Sequence, residues 1–343
     1  MKAILIPEYV SDPAALEPSE VPIPSPHPDR PILIRITHCS PQHADILHAQ
    51  GKHQNNNPKR GWCHPPFILG YDFAGIVESV LPSSTIRNFE EGDKVFGAAI
   101  GAFADYIVVK PDAIRKVPTG LSSEIACAMS GQAVSYAAVV NVAKVQRDDT
   151  VLVSGASGGL GSVCCMVAKA MGAKVIALAG DEHKAEMMRR DMDVDSVVVM
   201  KNSNAWVDRI TELTEGRGVD VVMDNIGIVN DAIRCLAYMG RIVVLGFAAR
   251  GGVMESVKMN RLLLKSATIH GYRFGESGRR SPQTLEEIWE SYLEMLRSGK
   301  LKPIFYGSYN GLEETGRALG DLASRNVYGK IVVRVSGQEK SKL

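Results

Sequence analysis

The amino-acid sequence predicts an α/β protein of two domains, a β-rich N-terminal domain followed by a doubly wound parallel sheet. The chain has 343 residues, which is enough for two hydrophobic cores at roughly 100 to 200 residues per domain. Hydrophobic residues make up 45% and charged residues 22%, as in ordinary globular proteins. From about residue 150, short apolar strands alternate with helical patterns, which a parallel sheet covered on both faces requires.

Charge and hydropathy exclude several classes of function. The 39 Lys and Arg residues against 38 Asp and Glu leave a net charge of +1, so no nucleic-acid partner is expected. No apolar run approaches the ~20 residues that span a bilayer, so no membrane partner is expected. The apolar stretch at the N-terminus is too short for the core of a signal peptide, so secretion is not expected. Six cysteines without CxxC spacing predict reduced thiols, and burial is expected for Cys164 and Cys165, which lie in an apolar helical run. These features favour a protein that binds a small-molecule substrate.

The first 120 or so residues contain short β-rich runs separated by turns with Pro and Gly. The clearest runs lie at residues 32–37, 75–80 and 104–109. This pattern predicts an antiparallel, barrel-like domain. Between the first two runs, residues 50–66 are polar and lack periodicity, which predicts a long surface loop.

The residue pattern changes from short β-rich runs to a helical pattern at Ser122, where an apolar helical run begins and continues to Val145. Six short hydrophobic strands with helical spacers follow, at residues 151–155, 175–179, 196–200, 219–225, 241–246 and 267–272. This alternation predicts a Rossmann domain. Two more helices at residues 284–298 and 312–324 and a last strand at 330–335 are expected to return to the first domain. The predicted domains are therefore 1–122 with 273–343, and 123–272.

A glycine-rich turn carries the clearest chemical signal. The first strand of the predicted parallel sheet leads directly into GASGGLG at residues 155–161, and an apolar helix starts near Ser162. A turn of this kind lets the backbone approach a pyrophosphate, whose charge meets exposed N–H groups and the positive end of the helix. The strand before, the helix after and the further strands favour dinucleotide binding over a structural turn. The expected contacts are Ser157, Gly158, Gly159, Leu160 and Gly161.

Several ordered motifs resemble the medium-chain dehydrogenase/reductase superfamily along nearly the whole chain. The segment GYDFAGIV at residues 70–77 is similar to its G-x-[DE]-x-x-G-x-V motif, and EGDKV at 91–95 is similar to its GD-x-V turn. NRLLLK at 260–265 and the turn at 155–161 resemble the quinone oxidoreductase branch. The resemblance implies a GroES-like β-barrel domain, a Rossmann domain and a C-terminal return to the first domain.

The same resemblance implies that the protein has no catalytic zinc. Gln42 and Tyr71 stand where the alcohol dehydrogenase branch has zinc ligands, and neither is a zinc ligand here. The lobe with four closely spaced cysteines is also missing between Phe96 and Asp105. A competing possibility is a metal held by the His and Cys residues of the N-terminal third, although no zinc signature fits their spacing: His38, Cys39, His43, His48, His53, Cys63 and His64.

By resemblance, zinc-free members reduce conjugated carbonyls or quinones with NADPH. Such a reaction needs a hydride held near an electrophilic carbon, and a proton donor near the oxygen that gains charge. The candidate catalytic residues are Tyr71, Gln42 and Asp45, together with His43 for orienting the substrate. Tyr71 is the candidate proton donor, and a packing role is its alternative.

The choice of cofactor is expected to be made at the end of the second strand of the parallel sheet. No acidic residue ends this strand at Ala179, so NADP is favoured, with NAD as the alternative. Lys184 is the candidate contact to the 2′-phosphate, whereas the charge of Asp181 opposes a phosphate. The resemblance places the nicotinamide end near Gly246, Phe247 and Phe274.

The sequence therefore predicts an NADPH-dependent, zinc-independent reductase of quinones or α,β-unsaturated carbonyl or enoyl compounds. The alternatives are a secondary alcohol dehydrogenase with an atypical metal site and a non-catalytic dinucleotide-binding redox sensor. The resemblance implies a homodimer joined near Ile269. The sequence ends in Ser341-Lys342-Leu343, which matches the address read by the peroxisomal import receptor, and a peroxisomal location is expected.

Overall fold

The computed structural model describes residues 1–59, 61–82, 88–200, 205–248 and 255–335. Within them the strands are β1 Lys2–Ala3, β2 Leu5–Ile6, β3 Ser19–Glu20, β4 Ile32–Ser40, β5 Phe67–Ile68, β6 Asp72–Val80, β7 Lys94–Ala98, β8 Tyr106–Val109, β9 Ile114–Lys116, β10 Thr150–Val153, β11 Lys174–Ala179, β12 Ser196–Val199, β13 Val219–Asp224, β14 Leu236–Val244, β15 Thr268–Gly271, β16 Tyr309–Asn310 and β17 Val333–Arg334. The α-helices are α1 His43–Ala49, α2 Ser123–Met129, α3 Ala133–Ala137, α4 Gly159–Ala170, α5 Glu182–Asp191, α6 Ala205–Leu213, α7 Val229–Ala232, α8 Met259–Lys265, α9 Phe274–Arg280, α10 Pro282–Arg297 and α11 Thr315–Ala323.

The chain divides into two compact units. Unit 1 comprises Met1–Gly131 and Pro303–Leu343, and unit 2 comprises Gln132–Lys302. These borders differ from the predicted ones at 122/123 and 272/273. The helix α2 packs on β4, β6 and β7 and so belongs to unit 1, whereas α10 packs on α3 and α9 and so belongs to unit 2.

Unit 1 is built around a sheet in which β4 and β6 are the central pair. The strands follow the order β16-β17-β4-β6-β7-β9, and β8 also pairs with β4. All of these pairs are antiparallel except β16 with β17. The sequence predicts a return to this domain from about residue 273; residues 303–335 do return, through β17 on β4, whereas residues 273–302 belong to unit 2. Apolar side chains of β4, β6 and β7, such as Ile34, Phe73 and Val95, form one core of the unit.

Unit 2 contains the predicted doubly wound sheet. Its six strands follow the order β12-β11-β10-β13-β14-β15 and every neighbouring pair is parallel. Strand order reverses between β10 and β13, and the carboxyl ends of these strands form the edge where such sheets bind ligands. The strands are apolar on both faces because helices cover both sides, and β10 is buried along its whole length.

The apolar stretch from Ser122 to Val145 is not the single helix that the sequence predicts. It breaks into α2, α3 and a π-helical turn at Ala138–Val142. The break includes Gly131, where a Cβ atom would lie 2.9 Å from both carboxylate oxygens of Asp72, so the chain accommodates a residue 59 positions away. In the described residues no single helix has the length and apolar character of a membrane span; the broken pair Ser123–Met129 and Ala133–Val142 reaches them only when combined.

The polar stretch at residues 50–66 is more ordered than a simple surface loop. It contains a 3-10 turn at Gln54–Asn56, and Asn56 and Cys63 are buried. The Asn56 Nδ2 donates to the carbonyl of Cys63 at 2.8 Å, and its Oδ1 accepts from the N–H of His53 at 3.2 Å. Side-chain hydrogen bonds therefore close this segment on itself.

Candidate functional site

The glycine-rich turn after β10 has the geometry that a pyrophosphate site requires. The N–H of Gly158 donates to the carbonyl of Gly155 at 3.0 Å, which closes the turn, and Gly155 has a positive φ of +59°. At Gly161 a Cβ would lie 2.2 Å from the Gly155 carbonyl oxygen, so only glycine lets the helix start this close to the turn. The helix α4 begins at Gly159, three residues before the predicted start.

The first turn of α4 offers N–H groups to a ligand. Gly158 is the N-cap residue and no side chain caps the helix. The first N–H groups of a helix lack partners within the helix, and they carry the positive end of its dipole. A Cβ at Gly158 would meet the Gly155 carbonyl oxygen only at 3.5 Å, so the backbone here is open. The arrangement fits the diphosphate of a dinucleotide.

A buried polar brace holds the carboxyl ends of β10 and β13 together. The Ser154 hydroxyl donates to Asp224 Oδ1 at 2.8 Å and accepts from the N–H of Asn225 at 2.9 Å, while Asn225 Nδ2 donates to the Ser154 carbonyl at 2.8 Å. The Asp224 carboxylate also accepts the N–H groups of Ile226, Gly227 and Ile228. This brace was not predicted, although an Asp-Asn pair at the end of a buried strand is a sequence signal for it.

The end of β11 carries the predicted determinants of cofactor choice. No acidic side chain ends the strand, which stops at Ala179. Asp181 is the N-cap of α5, and its carboxylate accepts the backbone N–H of Lys184 at 2.8 Å. Asp181 therefore has a structural role at the helix start, and Lys184, which is half-buried, lies in the first turn of the same helix.

The residues predicted for the nicotinamide end follow β14 and β15. Gly246 comes two residues after β14, where a Cβ would lie 3.0 Å from the Asn225 carbonyl oxygen. The side chain of Phe247 is 46% exposed, which is unusual for a residue beside a buried strand end. Phe274 begins α9 and packs edge-on against Tyr272, with ring centroids 6.4 Å apart. All of the predicted cofactor contacts lie in unit 2.

In unit 1, Gln42 and Asp45 meet at the start of α1. Gln42 is the N-cap, and its backbone N–H donates to Asp45 Oδ2 at 2.8 Å. Asp45 is fully buried, and burial raises the pKa of its carboxyl well above the ordinary range. Its other oxygen has no hydrogen-bond partner in the described residues. The structure therefore gives Asp45 a helix-capping contact, and the third candidate on α1, His43, is exposed.

Tyr71 is held at the start of β6 by its neighbours. Gly70 has a φ of +96°, and a Cβ there would lie 2.3 Å from the ring of Phe103, so this position requires glycine. The Tyr71 carbonyl accepts the N–H of Ala99 at 3.0 Å. Burial raises the pKa of the Tyr71 phenol, while an interaction with the Asn55 side chain opposes the rise. The phenol is therefore protonated at neutral pH.

An imidazole pair lies beside Tyr71. The ring of His48 stacks on His53 with centroids 4.0 Å apart and lies 5.4 Å from the Tyr71 ring. His48 is fully buried, and within the described part of the chain neither of its ring nitrogens has a hydrogen-bond partner. Burial and the adjacent His53 lower the pKa of His48 to about 3. His48 is therefore a neutral imidazole next to the candidate proton donor.

Next to Tyr71 in sequence, Asp72 forms a buried ion pair. Lys330 Nζ lies 3.5 Å from Asp72 Oδ2, and both residues are almost completely buried. Burial raises the pKa of Asp72, and the Lys330 charge opposes the rise. Asp72 also raises the pKa of Asp45, so the two buried carboxyl groups are coupled. This pair was not predicted from the sequence, because its members are 258 residues apart.

The His and Cys residues of the N-terminal third do not assemble into a metal site. Over residues 1–59, 61–82 and the rest of the described chain, no three His, Cys, Asp or Glu side chains are arranged to hold a metal ion. His64 contacts Tyr9, and His38 contacts Thr37. All six cysteines are free and buried, and burial was predicted for Cys164 and Cys165. The zinc-free character of the protein stays a prediction, with Gln42 and Tyr71 at the positions that decide it.

Two protein-family models match the chain. The model described as "Alcohol dehydrogenase GroES-like domain" covers residues 28–119, and that described as "Zinc-binding dehydrogenase" covers residues 159–294. "Quinone oxidoreductase-like protein 2" of Bos taurus is 31% identical over 320 residues, which is 90% of this chain and 87% of the relative.

Solved structures agree with these matches. A probable oxidoreductase from Mycobacterium abscessus is 31% identical, with a TM-score of 0.83 over 97% of this chain and 98% of that one. A mycobacterial protein solved in complex with NADPH is 26% identical, with a TM-score of 0.83 over 97% of this chain and 99% of that one. The chain belongs to the medium-chain dehydrogenase/reductase superfamily, in its quinone oxidoreductase-like branch. It is an NAD(P)H-dependent oxidoreductase with a GroES-like and a Rossmann domain.

Proposed function

We propose that the protein reduces a quinone or an α,β-unsaturated carbonyl compound by hydride transfer, with NADPH as the electron donor and without zinc. The observation that carries the cofactor part is the uncapped start of α4 beside the open Gly158. Its N–H groups would hold the diphosphate, and Phe247 and Phe274 would line the nicotinamide end. When bound, the reduced nicotinamide supplies a hydride.

The preference for NADPH rests on the start of α5. The absence of an acidic residue at Ala179 removes the acceptor that NAD-binding proteins use for the ribose hydroxyls. Lys184 supplies a positive charge in the first turn of α5. The cap formed by Asp181 explains why an acidic residue stands here although it disfavours a phosphate. The NADPH found in the mycobacterial relative is consistent with this preference.

Tyr71 would provide the proton for the substrate. As the electrophilic carbon accepts the hydride, the electron pair of the double bond moves to the carbonyl oxygen. The Tyr71 phenol donates its proton to this oxygen, and water then returns a proton to the phenolate. Burial raises the pKa of the phenol, which keeps it protonated before the reaction.

The central experiment measures NADPH oxidation with a panel of quinones, enones and aldehydes. NADPH binding without turnover would contradict the proposal and favour the redox-sensor alternative.

Lys184→Glu should weaken NADPH binding by about 10- to 100-fold and NADH binding much less, because charge-assisted hydrogen bonds contribute about 1.5–3 kcal/mol. The matched control is Lys174→Glu, an exposed lysine at the other end of β11. Equal losses for both cofactors would argue against the role of Lys184.

Metal removal tests the zinc-free assignment. Activity should survive extensive chelation, because Gln42 and Tyr71 cannot ligate zinc as Cys and His do. Stoichiometric zinc in the purified protein, together with loss of activity on extraction, would instead support the alcohol dehydrogenase alternative.

We also propose that two copies of the chain pair through unit 2. The strand β15 lies at the edge of its sheet, and the preceding helix α8 exposes Met259, Leu263 and Leu264 by 69%, 80% and 76%. Unpaired strand edges and exposed apolar helix faces are features of interfaces. Leu263→Glu combined with Leu264→Glu should convert a dimer to a monomer in analytical ultracentrifugation. A wild-type protein that is monomeric at all concentrations would refute the pairing.

The peroxisomal address is a separate proposal. Ser341, Lys342 and Leu343 lie outside the described residues, and the proposal rests on their sequence alone. A fluorescent protein fused to the N-terminus should co-localise with peroxisomes, and deletion of the three residues should abolish this while activity is retained. A diffuse signal from the undeleted fusion would refute the proposal.

A further inference from the structure

The side chain of Asn225, directly after β13, carries a buried hydrogen-bond acceptor without a donor. Only 8% of the residue is exposed, and its Oδ1 has no hydrogen-bond partner in the described residues. Buried acceptors in native proteins almost always receive a hydrogen bond, because an unpaired one costs free energy. We therefore expect the donor for Oδ1 to belong to a molecule that binds beside Asn225.

The orientation of the Asn225 amide is determined by Ser154. The Nδ2 atom donates to the Ser154 carbonyl oxygen at 2.8 Å, and the main-chain N–H donates to the Ser154 hydroxyl oxygen at 2.9 Å. A carbonyl oxygen only accepts hydrogen bonds, so a rotated amide would place two acceptor oxygens against each other. Oδ1 is therefore the amide atom on the side away from the Ser154 carbonyl, and it is available as an acceptor.

Asn225 lies against the glycine turn that precedes α4. A Cβ on Gly155, the first residue of the turn, would lie 3.5 Å from the Asn225 Cβ. On the other side, a Cβ on Gly246 would lie 3.0 Å from the Asn225 carbonyl oxygen. Asn225 thus stands between the turn proposed to hold the diphosphate and the residues proposed to line the nicotinamide end.

The strand order of unit 2 decides which half of a dinucleotide would reach Asn225. In this sheet β11 lies on one side of β10, and β13 lies on the other. Lys184, the proposed contact to the 2′-phosphate, follows β11, so the adenosine half belongs on that side. The other half would then extend over the end of β13. The group joined directly to the diphosphate there is the ribose of the nicotinamide, whose hydroxyls are hydrogen-bond donors.

We propose that Asn225 Oδ1 accepts a hydrogen bond from a hydroxyl of the nicotinamide ribose, which makes Asn225 a cofactor-binding residue. The inference rests on the proposed function only through the binding of a nicotinamide dinucleotide at α4, and it is independent of the substrate, of Tyr71 and of zinc. Because the hydrogen bond forms only with the second ribose, it adds to the affinity for the whole cofactor and not to that for its adenosine half.

The test compares Asn225→Ala with the wild type in binding adenosine 2′,5′-bisphosphate, 2′-phospho-ADP-ribose and NADPH. Only the last two ligands contain the second ribose. We expect the variant to bind these two about 3- to 10-fold more weakly, as for the loss of one neutral hydrogen bond, and the bisphosphate within about twofold of the wild type. Isothermal titration measures the affinities. Asn225→Ser, whose shorter side chain withdraws the acceptor, is the second variant if Asn225→Ala does not fold.

Thr150→Val is the matched control for the loss of a buried hydrogen bond. Thr150 begins β10, at the end of the strand away from Ser154, and its Oγ1 accepts a hydrogen bond from Arg217 Nη2 at 3.1 Å. Valine has nearly the same shape as threonine and cannot accept this bond. The control should lower the Tm and leave the affinities for all three ligands within about twofold of the wild type. A control that loses affinity as Asn225→Ala does would attribute both losses to reduced stability and overturn the proposal.

The three ligands also separate a ribose contact from other roles of Asn225. A loss for NADPH alone would assign Oδ1 to the nicotinamide amide and overturn the ribose contact. Equal losses for all three ligands would mean that Asn225 acts by shaping the glycine turn, and unchanged affinities would mean that Oδ1 contacts no part of the cofactor.

Failure of the proposed function gives different results. A wild type that binds NADPH and reduces no acceptor refutes the proposed reaction and leaves the affinity test of Asn225 intact. If the wild type prefers NADH, the proposed cofactor preference is wrong, and ADP, ADP-ribose and NADH provide the same comparison. A wild type that binds neither series refutes the dinucleotide site, and the inference falls with it.

Discussion

The turn at residues 155–161 in unit 2 and the segment at residues 53–63 in unit 1 both hold backbone groups at close range around glycine. In the turn, Gly161 lies against the carbonyl of Gly155, six residues away, and the result is a surface of main-chain N–H groups. In the segment, Gly61 lies against the carbonyl of Asn55, also six residues away, and this carbonyl accepts the N–H groups of Trp62 and Cys63. The first arrangement leaves main-chain N–H groups open to a ligand, whereas the second uses its backbone groups for hydrogen bonds within the segment.

The largest difference between the two regions should appear in stability and NADPH binding when Gly161 in the turn or Gly61 in the segment is replaced by alanine. Gly161→Ala places its Cβ 2.2 Å from the Gly155 carbonyl oxygen and 2.7 Å from the Ala156 Cα, both rigid backbone atoms between β10 and α4. We expect a loss of about 2–3 kcal/mol in the free energy of unfolding, with NADPH binding largely lost. Thermal unfolding and NADPH titration measure these effects.

The matched control is Gly180→Ala, because a Cβ at Gly180 meets no atom within 4 Å. Its unfolding free energy should stay within about 0.5 kcal/mol of the wild type. Equal stability of the two variants would show that the start of α4 adapts more easily than its packing suggests.

In the segment of unit 1, Gly61→Ala should act locally. The new Cβ would lie 2.1 Å from the Asn55 carbonyl oxygen, so the segment must shift. We expect NADPH affinity to be unchanged and the loss of stability to be smaller than in Gly161→Ala, since such segments yield by local opening. A variant that loses NADPH affinity as well would remove the functional distinction between the two regions.

The sequence was sufficient to predict the turn because its determinants are local. A strand, a turn with four glycines and a helix stand in order over some twenty residues, and the six strands of unit 2 follow from the same alternation. The region around Tyr71 could be predicted only in part. Tyr71 itself was found through a motif, but Asn55 and His48 have no sequence spacing that connects them with it.

Non-local contacts also explain the errors in the predicted elements. The helical run after Ser122 breaks around Gly131, where a Cβ would lie 2.9 Å from the carboxylate of Asp72, and Asp72 lies in β6 and pairs with Lys330. The first domain border was predicted at 122/123, nine residues before the observed one, because the sequence of α2 has the pattern of one long helix. In the structure, α2 packs on strands of unit 1. Apolar periodicity identifies a helix and does not reveal which core the helix joins.

The buried His48 provides a pH test of the region around Tyr71. Its pKa is lowered from 6.5 to about 3, so the unfolded chain binds a proton below pH 6.5 that the folded chain does not bind. The stability associated with the neutral imidazole is therefore complete above pH 6.5 and is lost as the pH falls towards 3, by about 1.4 kcal/mol per pH unit at most. Urea unfolding at pH values from roughly 7 to 4.5 measures how the free energy of unfolding changes with pH in this range.

The variant His48→Leu should unfold with a shallower pH dependence than the wild type over this range. His27→Leu is the control, because it makes the same substitution at an exposed histidine. Parallel slopes for the wild type and His48→Leu would mean that folding does not lower the pKa of His48.

The smallest expected effect concerns Asp181, where the cap of α5 and the predicted phosphate contact compete. Asparagine caps helices as well as aspartate does, so Asp181→Asn should keep the hydrogen bond to the N–H of Lys184 and change stability by less than about 0.5 kcal/mol. It removes a negative charge three residues from Lys184, and NADPH should bind about two- to fivefold more tightly while NADH binding is unchanged. Asp181→Ala also removes the charge, but it deletes the cap and should cost about 1 kcal/mol of stability.

Isothermal titration of both nucleotides at low and high salt measures the difference in affinity, and the gain in NADPH affinity should shrink at high salt. Tighter binding of both nucleotides, or a gain independent of salt, would place the 2′-phosphate away from α5 and return the choice between NADP and NAD to residues other than Lys184.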